Sequence, residues 1–380
     1  MRVLTLTPFY PTANDDGAGC FVAEPLRALD NFGIESCVIV VQPYYRGSVA
    51  PNTIVPRSNW VRFAAAPGGF GLASAGAFLY ARLLSEVRRL HSAHPFDLIH
   101  AHAALPCGHA ASLLSRDLRV PYVVTVHGLD AFFNRQVTGI AGRWCQRKAK
   151  SVYASAARVI CISTKVAEQV TIGDTTNAAT TVVYNGVDPE LFGGAGPEAH
   201  SPTLLSIGNL IPIKGHEVLL RALAAVKERC SDLQCEIIGD GPELPHLKEL
   251  AVQLGIATNV RFLLRQSRRQ VADAMRRCTI FALPSRYEGL GCVYLEAMAA
   301  QKPAIACHGQ GIDEIIQHRE NGWLVETGNW HALADAIALL IEKRDLRARI
   351  GRAARGTILE GFTLAHQASR LAQVYRECAA

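Results

Sequence analysis

The densest run of chemistry-bearing residues is PSRYEGLGCVYLEAMA, residues 284–299. A β-rich apolar run, TIFALPS (279–285), leads into it, and a helix-forming stretch over 291–300 leads out. Between them Gly289, Leu290 and Gly291 make a tight turn. A strand-to-helix turn of this kind gathers backbone N–H groups and the positive end of a helix dipole at one point, which suits a diphosphate. The dipole contributes about 0.3–1 kcal/mol, and more where the site is partly buried. Glu288 precedes the turn, and Glu296 stands one to two turns inside the helix. Carboxylates so placed can accept hydrogen bonds from hydroxyls on either side of a diphosphate. The apolar neighbours Tyr294, Leu295, Ala297 and Met298 argue against a merely solvated Glu296. A weaker signal is the loop PTANDDGAGCF (11–21), where Gly17 and Gly19 sit at the turn from a strand into a helix. Glycines there let backbone approach a ligand phosphate, but Val22 stands where the last glycine of G-x-G-x-x-G would fall.

The elements that must position these residues alternate strand and helix twice over. In the first half RVLTLT (2–7), SCVIVV (36–41), FDLIHAH (96–102), PYVVTVHG (121–128), ARVICIS (157–163) and TTVVYNG (180–186) read as strands. Helices are expected over Phe21–Phe32, stopped by Gly33, and over 73–92, 105–116 and 140–156. Residues 42–72, rich in Pro, Gly and aromatics, read as irregular. GGAGPEAHSP (193–202) has no hydrophobic period and reads as a linker. Beyond it TLLSIG (203–208), CEIIG (235–239), VRFLL (260–264), TIFALPS, PAIAC (303–307) and GWLVE (322–326) read as strands. The helices between them are expected over 215–229, 242–254, 268–276, 291–300 and near 311–317, and everything from 329 onward reads as helix.

The pattern predicts an α/β protein of two Rossmann-like, doubly wound parallel-sheet domains facing a cleft. Residues 1–194 form the first domain and 200–360 the second. Residues 361–380 form a C-terminal helix that packs back on the first.

Composition fits this reading. The chain has 380 residues, enough for two cores. Its net charge is +6, divided evenly: 17 Lys+Arg against 14 Asp+Glu up to residue 198, and 22 against 19 beyond. A mild surplus suits an anionic small ligand or an anionic membrane surface and does not argue for nucleic acid. One local excess stands out. Between Asp130 and Glu168 lie Arg135, Arg143, Arg147, Lys148, Lys150, Arg158 and Lys165 with no acidic residue, a solvated face or a contact for a phosphate-bearing acceptor or anionic lipid. The 11 cysteines are scattered without C-x-x-C, and Cys37, Cys161 and Cys307 sit in apolar runs as small hydrophobes of a reducing cytosol. No metal-ligand spacing appears. Residue 1 runs straight into a strand, which predicts no signal peptide. The uncharged stretch Phe63–Ala81 contains Pro67, Gly68, Gly69, Gly71 and Gly76, so a loop and a surface-docking helix are expected there instead of a membrane span.

The form E-G-x-G-x-x-x-x-E-A-M-A, after a strand, resembles the retaining GT-B glycosyltransferases of family 4 (group 1). Other pieces fall in that family's order across nearly the whole chain, most weakly over 42–95. SIGNLIPIKG (206–215) is similar to the G-R-L-x-x-x-K-G loop in which Arg and Lys bind the donor's diphosphate. Lys214 matches; Asn209 stands at the Arg position, uncharged, and Arg286 or Arg265 could compensate. YNGVD (184–188), IIGDGPE (237–243), HGQGIDEII (308–316), NGWLV (321–325) and TVHGLD (125–130) are further matches.

The resemblance implies transfer of a sugar from a UDP- or GDP-linked donor to a glycan or lipid-linked acceptor, in cell-envelope polysaccharide or glycolipid synthesis. Glu288 and His127 would be catalytic. Gly19, Asn209, Lys214, Gly289, Leu290, Gly291 and Glu296 would bind the donor, with Glu296 on the ribose and Glu288 on the sugar. His127 would reach the sugar as the cleft closes, and Asn185 and Glu314 would contribute. No metal and no cofactor beyond the nucleotide sugar are expected. The acceptor would meet Tyr44, Tyr45, Trp60, Phe63 and Phe70 beside Arg46, Arg57 and Arg62, in a cytoplasmic enzyme touching the inner face of the plasma membrane. The alternatives are a non-catalytic sugar-nucleotide-binding protein of the same fold, for which Asn209 speaks, and a nicotinamide oxidoreductase, against which the incomplete glycine loop speaks. A sugar phosphorylase lacks its lysine context.

Overall fold

The computed structural model describes residues 1–47, 58–131, 139–172, 179–194 and 201–380. The chain divides into two compact units, Met1–Asn185 with Leu364–Ala380, and Gly186–Thr363. The expected linker falls largely on 195–200, outside the described residues, as do Arg57 and Arg135.

The first unit is a parallel sheet of 7 strands in the order β3-β2-β1-β4-β5-β6-β7. These are β1 (Arg2–Thr7), β2 (Glu35–Pro43), β3 (Ser58–Phe63), β4 (Leu98–His102), β5 (Tyr122–Val126), β6 (Arg158–Cys161) and β7 (Thr180–Val182). Helices α1 (Cys20–Leu29), α2 (Gly68–Ala93), α3 (His109–Leu118), α4 (Gly139–Ser155) and α5 (Thr164–Ile172) connect them. The central strands are buried on both faces, which is why they read as short, largely apolar runs broken only by His100, His102 and Thr125. The strand order reverses between β1 and β4, the point where such sheets leave a crevice at their carboxyl ends.

Three expectations are corrected. Residues 42–72 are not wholly irregular, because β3 pairs in parallel with β2, Val40 opposite Trp60. α2 begins at Gly68, five residues before the expected start, its first turn tolerating three glycines because tertiary packing outweighs their propensity. The helix expected from 105 becomes regular only at His109, since Leu105 has extended backbone angles.

The second unit is a parallel sheet of 6 strands, β10-β9-β8-β11-β12-β13. They are β8 (Thr203–Ile207), β9 (Gln234–Ile238), β10 (Val260–Phe262), β11 (Ile280–Ala282), β12 (Ala304–Cys307) and β13 (Trp323–Val325). The helices are α6 (His216–Lys227), α7 (Leu244–Gln253), α8 (Arg268–Arg277), α9 (Cys292–Ala299), α10 (Trp330–Glu342) and α11 (Arg344–Gly361). Leu219 and Leu223 of α6 share a core with Leu333, Ile337 and Leu340 of α10. The reversal here falls between β8 and β11, so the loops leaving those two strands are neighbours. The chain enters and leaves this unit side by side, with the Val187 N–H on the Phe362 carbonyl at 3.0 Å.

Helix α12 (Leu364–Ala379) belongs to the first unit. Its Ala368, Leu371, Ala372 and Tyr375 pack in one core with Val22, Leu26 and Leu29 of α1. Cys161 and Cys307 are buried and Cys37 half-buried, and all the cysteines are free thiols.

Candidate functional site

In the second unit two loops are locked together at the switch point. After β8 the chain turns through Pro212–Lys214 into Gly215, whose φ is 73°. A Cβ there would stand 2.1 Å from the Pro284 carbonyl oxygen, so only glycine fits. The Arg286 N–H also donates to the Ile213 carbonyl at 2.8 Å. These two contacts bring the loop after β8 against the loop after β11. Their product is an ion pair, Lys214 Nζ to Glu288 Oε1 at 2.6 Å. Ser285 donates its hydroxyl to the same oxygen at 3.0 Å. Both contacts fall on Oε1, which leaves Oε2 for another donor. Glu288 is buried and Lys214 only partly so.

The turn itself is braced from β12. Gln310 Oε1 accepts the Glu288 N–H at 3.0 Å, and the Gly311 N–H donates to the Glu288 carbonyl at 3.1 Å. A Cβ on Gly311 would fall 1.8 Å from the Gly289 oxygen, which explains the second glycine of HGQG. Gly291 opens α9 at φ 84° with no side-chain cap. The Leu290 side chain is buried, so only its backbone can meet a ligand. Farther into α9, Glu296 is 3% exposed. Its Oε1 is paired with Arg268, from the first turn of α8, and its Oε2 has no partner among the described residues. Arg268 also lies over the Phe192 ring, 4.9 Å from its centroid. Asn209 is exposed after β8, and its Oδ1 lies 3.5 Å from Arg265 Nη2. His216, the first residue of α6, is held neutral, its pKa pushed down to about 4 by burial and then by Lys214.

In the first unit the switch point is walled by histidines. His102 Nδ1 and His127 Nε2 share one proton across 3.0 Å with their rings stacked. His102 Nε2 and His127 Nδ1 have no partner among the described residues. Phe9 and Phe21 pack edge-on against His127. Beneath, His100 is fixed from both sides, by Thr125 at 2.7 Å and by the Tyr375 hydroxyl at 2.6 Å. The cavity they line with Asn185 and Gln367 measures about 10 Å³, room for a water and not for a sugar. Asp130 accepts the His127 N–H on Oδ1 at 2.8 Å, while its Oδ2 has no partner among the described residues.

Burial sets the ionisation of this cluster. It pushes His100 and His127 down to about 3, with His102 also well below its ordinary value, and it pushes Asp130 up to about 7. A histidine depressed in the fold binds its proton only after unfolding, so stability falls as pH drops below about 6.5. Asp130 acts oppositely, since the folded state takes its proton first and gains as pH drops through 7. Three histidines against one carboxyl leave the unfolded chain with the net proton excess, so for these groups stability slopes downward as pH drops from about 6 toward 4. Urea unfolding at stepped pH should show that slope, and His100→Gln should halve the contribution. An unchanged slope would mean that His100 is charged in the fold.

The description "Glycosyltransferase Family 4" matches residues 16–191, and "Glycosyl transferases group 1" matches 188–357. The D-inositol 3-phosphate glycosyltransferase of Corynebacterium glutamicum is 30% identical over 308 residues, 75% of this chain and 73% of its own length. The chain belongs to the group 1, family 4 glycosyltransferases. A second relative of this glycosyltransferase is the GDP-mannose-dependent alpha-(1-6)-phosphatidylinositol monomannoside mannosyltransferase of Mycobacterium tuberculosis, 32% identical over 46% of this chain and 47% of its own. Among solved structures, Anabaena HepE, in complex with UDP and glucose, has a TM-score of 0.77 at 22% identity, covering 99% of this chain and 100% of that one. That likeness establishes the two-domain GT-B fold.

The glycosyltransferase brings Lys214, Glu288 and the Gly289–Gly291 turn to one corner of its second unit. Asn209 lies on the loop leading to Lys214, and Glu296 lies deeper on α9 against Arg268. Gly19 and His127 lie in the first unit. At Gly19 a Cβ would stand 2.3 Å from the Tyr10 nitrogen, so the chain's own backbone already demands glycine there. Asn185 is buried and holds Gln367, and Glu314 is exposed at the end of a short 3-10 turn. Of the two compensating cations, Arg265 stands beside Asn209, while Arg286 is exposed. Sequence reasoning missed Arg268, Gln310, Ser285 and His102. HGQG alone carried a signal for one of them; the others meet their partners only through the fold.

Proposed function

We propose that this glycosyltransferase moves a sugar from a UDP- or GDP-linked donor to a glycan or lipid-linked acceptor, with retention of configuration, in cell-envelope polysaccharide or glycolipid synthesis. The Lys214–Glu288 pair at the head of α9 carries the reading. A donor diphosphate seated on the Gly289–Gly291 turn draws Lys214 toward its own charge, and the dipole of α9 adds to that field. Negative charge grows on the departing nucleoside diphosphate in the transition state, where a fixed ammonium and fixed dipoles stabilise it without a metal. Glu288, released from Lys214, accepts hydrogen bonds from sugar hydroxyls. Glu296 accepts them from the ribose through Oε2. The leaving phosphate takes the acceptor's proton, so no separate base is required. His127 presents Nδ1 as its open nitrogen, Nε2 being engaged by His102. The names of the two relatives, one on inositol phosphate and one on a phosphatidylinositol glycolipid, support an acceptor that carries phosphate.

Lys214→Ala should weaken nucleoside diphosphate binding by about 2 kcal/mol, roughly thirtyfold, the value of a charged hydrogen bond to phosphate. Titration calorimetry checks this, and an unchanged dissociation constant removes Lys214 from the site. Thermal-shift screening against nucleoside diphosphate sugars identifies the base and the sugar, because a ligand that binds only the folded state raises its midpoint. The neutral Asn209 favours a second reading, binding without transfer. A transfer assay with the stabilising donor separates the two.

A further inference from the structure

The histidine wall of the first unit contains more imidazole than a single sugar contact requires. His102 ends β4, and the parallel register sets it opposite Thr125 of β5, two residues before His127. Directly after His102 the chain turns at Ala103, which is buried with φ 70° and ψ 141°. A residue with a Cβ enters that region only when the surrounding fold forces it. The Ala103 N–H still donates to the Thr125 carbonyl at 2.9 Å, so the end of β4 is pinned to β5. This backbone holds the His102 ring in place.

That ring touches two others. The His100 centroid lies 4.3 Å away, and the His127 ring stacks at 5.2 Å with the planes 17° apart. His100 is engaged at both nitrogens, by Thr125 and by Tyr375 of α12, so the C-terminal helix takes part in holding the wall. His102 is 5% exposed and cannot exchange its contact with His127 for water.

The hydrogen bond between the two rings is restrictive. Burial keeps both neutral, so the pair carries two ring protons. One lies between His102 Nδ1 and His127 Nε2. The other sits on only one of the two remaining nitrogens. If His102 donates, His127 carries its proton on Nδ1; if His127 donates, its Nδ1 is bare. Both rings are therefore protonated at Nδ1 or both at Nε2, never one of each. Neither remaining nitrogen has a partner among the described residues, so within them the pair itself sets the choice.

We propose, on the reading of His127 as a sugar contact, that His102 is its positioning residue. Stacking holds the plane of the His127 ring, and the shared hydrogen bond fixes its tautomer. The sugar then meets one nitrogen of one polarity. A lone imidazole would divide between two tautomers and several ring orientations, and misplacement by about 1 Å costs about a hundredfold in rate.

Nitrogen spectra of the protein with 15N-labelled histidine read the ring tautomers near neutral pH, with His102→Asn and His127→Ala assigning the signals. His102 and His127 are expected in the same tautomer. Opposite tautomers, or a ring exchanging freely between the two forms, overturn the proposal. Turnover is followed as UDP released from UDP-glucose or GDP from GDP-mannose. His102→Phe keeps a stacking ring and removes the hydrogen bond, so kcat should fall about a hundredfold. Calorimetric binding of UDP or GDP should stay at the wild-type value, because the glycine turn lies in the second unit. His102→Asn, whose carboxamide stands where Nδ1 stood, should recover most of the rate. A role in packing alone gives the reverse order, Phe better tolerated than Asn, and that order overturns the proposal. With His127→Ala already present, His102→Phe should have no further effect. Wild-type turnover by His127→Ala removes His127 from the sugar and the proposal with it. A slow His127→Ala beside a His102→Phe at the wild-type rate overturns the positioning alone. If the melting curve shows that His102→Phe does not fold, the spectra and His102→Asn still decide.

Discussion

Glu288→Gln is expected to lower kcat/KM for sugar transfer about a thousandfold, some 4 kcal/mol of transition-state stabilisation, with little change in folding stability. The substitution keeps the shape of the side chain and an oxygen for the Ser285 hydroxyl, so the turn should hold its geometry. It removes the charge. In the resting site that charge is shared with Lys214 at 2.6 Å, in a pocket where Glu288 is 6% exposed and the field between them is strong. When a diphosphate takes Lys214, the carboxylate faces the sugar, and a neutral amide there holds hydroxyls and developing positive charge less well. Binding of the nucleoside diphosphate alone should be retained or tightened, because Lys214 loses its internal competitor. A transfer rate near wild type would show that Glu288 does not touch the reacting sugar. Loss of nucleotide binding together with transfer would instead make it a residue of the phosphate cradle.

The alternation of elements was legible because both sheets are covered on both faces. Strands such as LIHAH and AIAC are entirely buried and read as short apolar runs, and Gly33 and Gly291 mark their turns through positive φ. Legibility failed where burial is one-sided or spacing is short. β3 is an edge strand paired only to β2, and its half-exposed SNWVRF sits among prolines and glycines that masked it. α5 was missed because TKVAEQVTI is brief and mixes polar with β-branched residues. Within the site, Glu288 and the glycine turn announced themselves through spacing along the chain, and Lys214 through the resemblance of its loop to the family's. The pairs that complete the site did not. His102 meets His127 because β4 and β5 end side by side, and Gln310 meets Glu288 because β12 lies beside β11. Neither pairing leaves a mark on local sequence, since adjacency in a parallel sheet is set by topology.

Arg268 and Glu296 give the sharpest separation of structure from function. Arg268→Leu is expected to destabilise the second unit by about 3–5 kcal/mol, because it leaves a carboxylate that is 3% exposed without its counter-charge. Glu296→Leu should cost less, since Arg268 keeps its stacking over Phe192 and a 13% exposed side chain can reach water. Combining the two substitutions should recover most of the loss, as replacing both members of a buried ion pair by apolar residues often does. Urea unfolding of the four proteins closes the double-mutant cycle. The double variant then answers a second question. Being folded, it should still bind nucleoside diphosphate about tenfold more weakly than wild type, because the unpartnered Glu296 Oε2 proposed to hold the ribose is gone. Wild-type affinity in that stable double variant would confine Glu296 to holding α8 against α9 and leave recognition of the ribose to other groups.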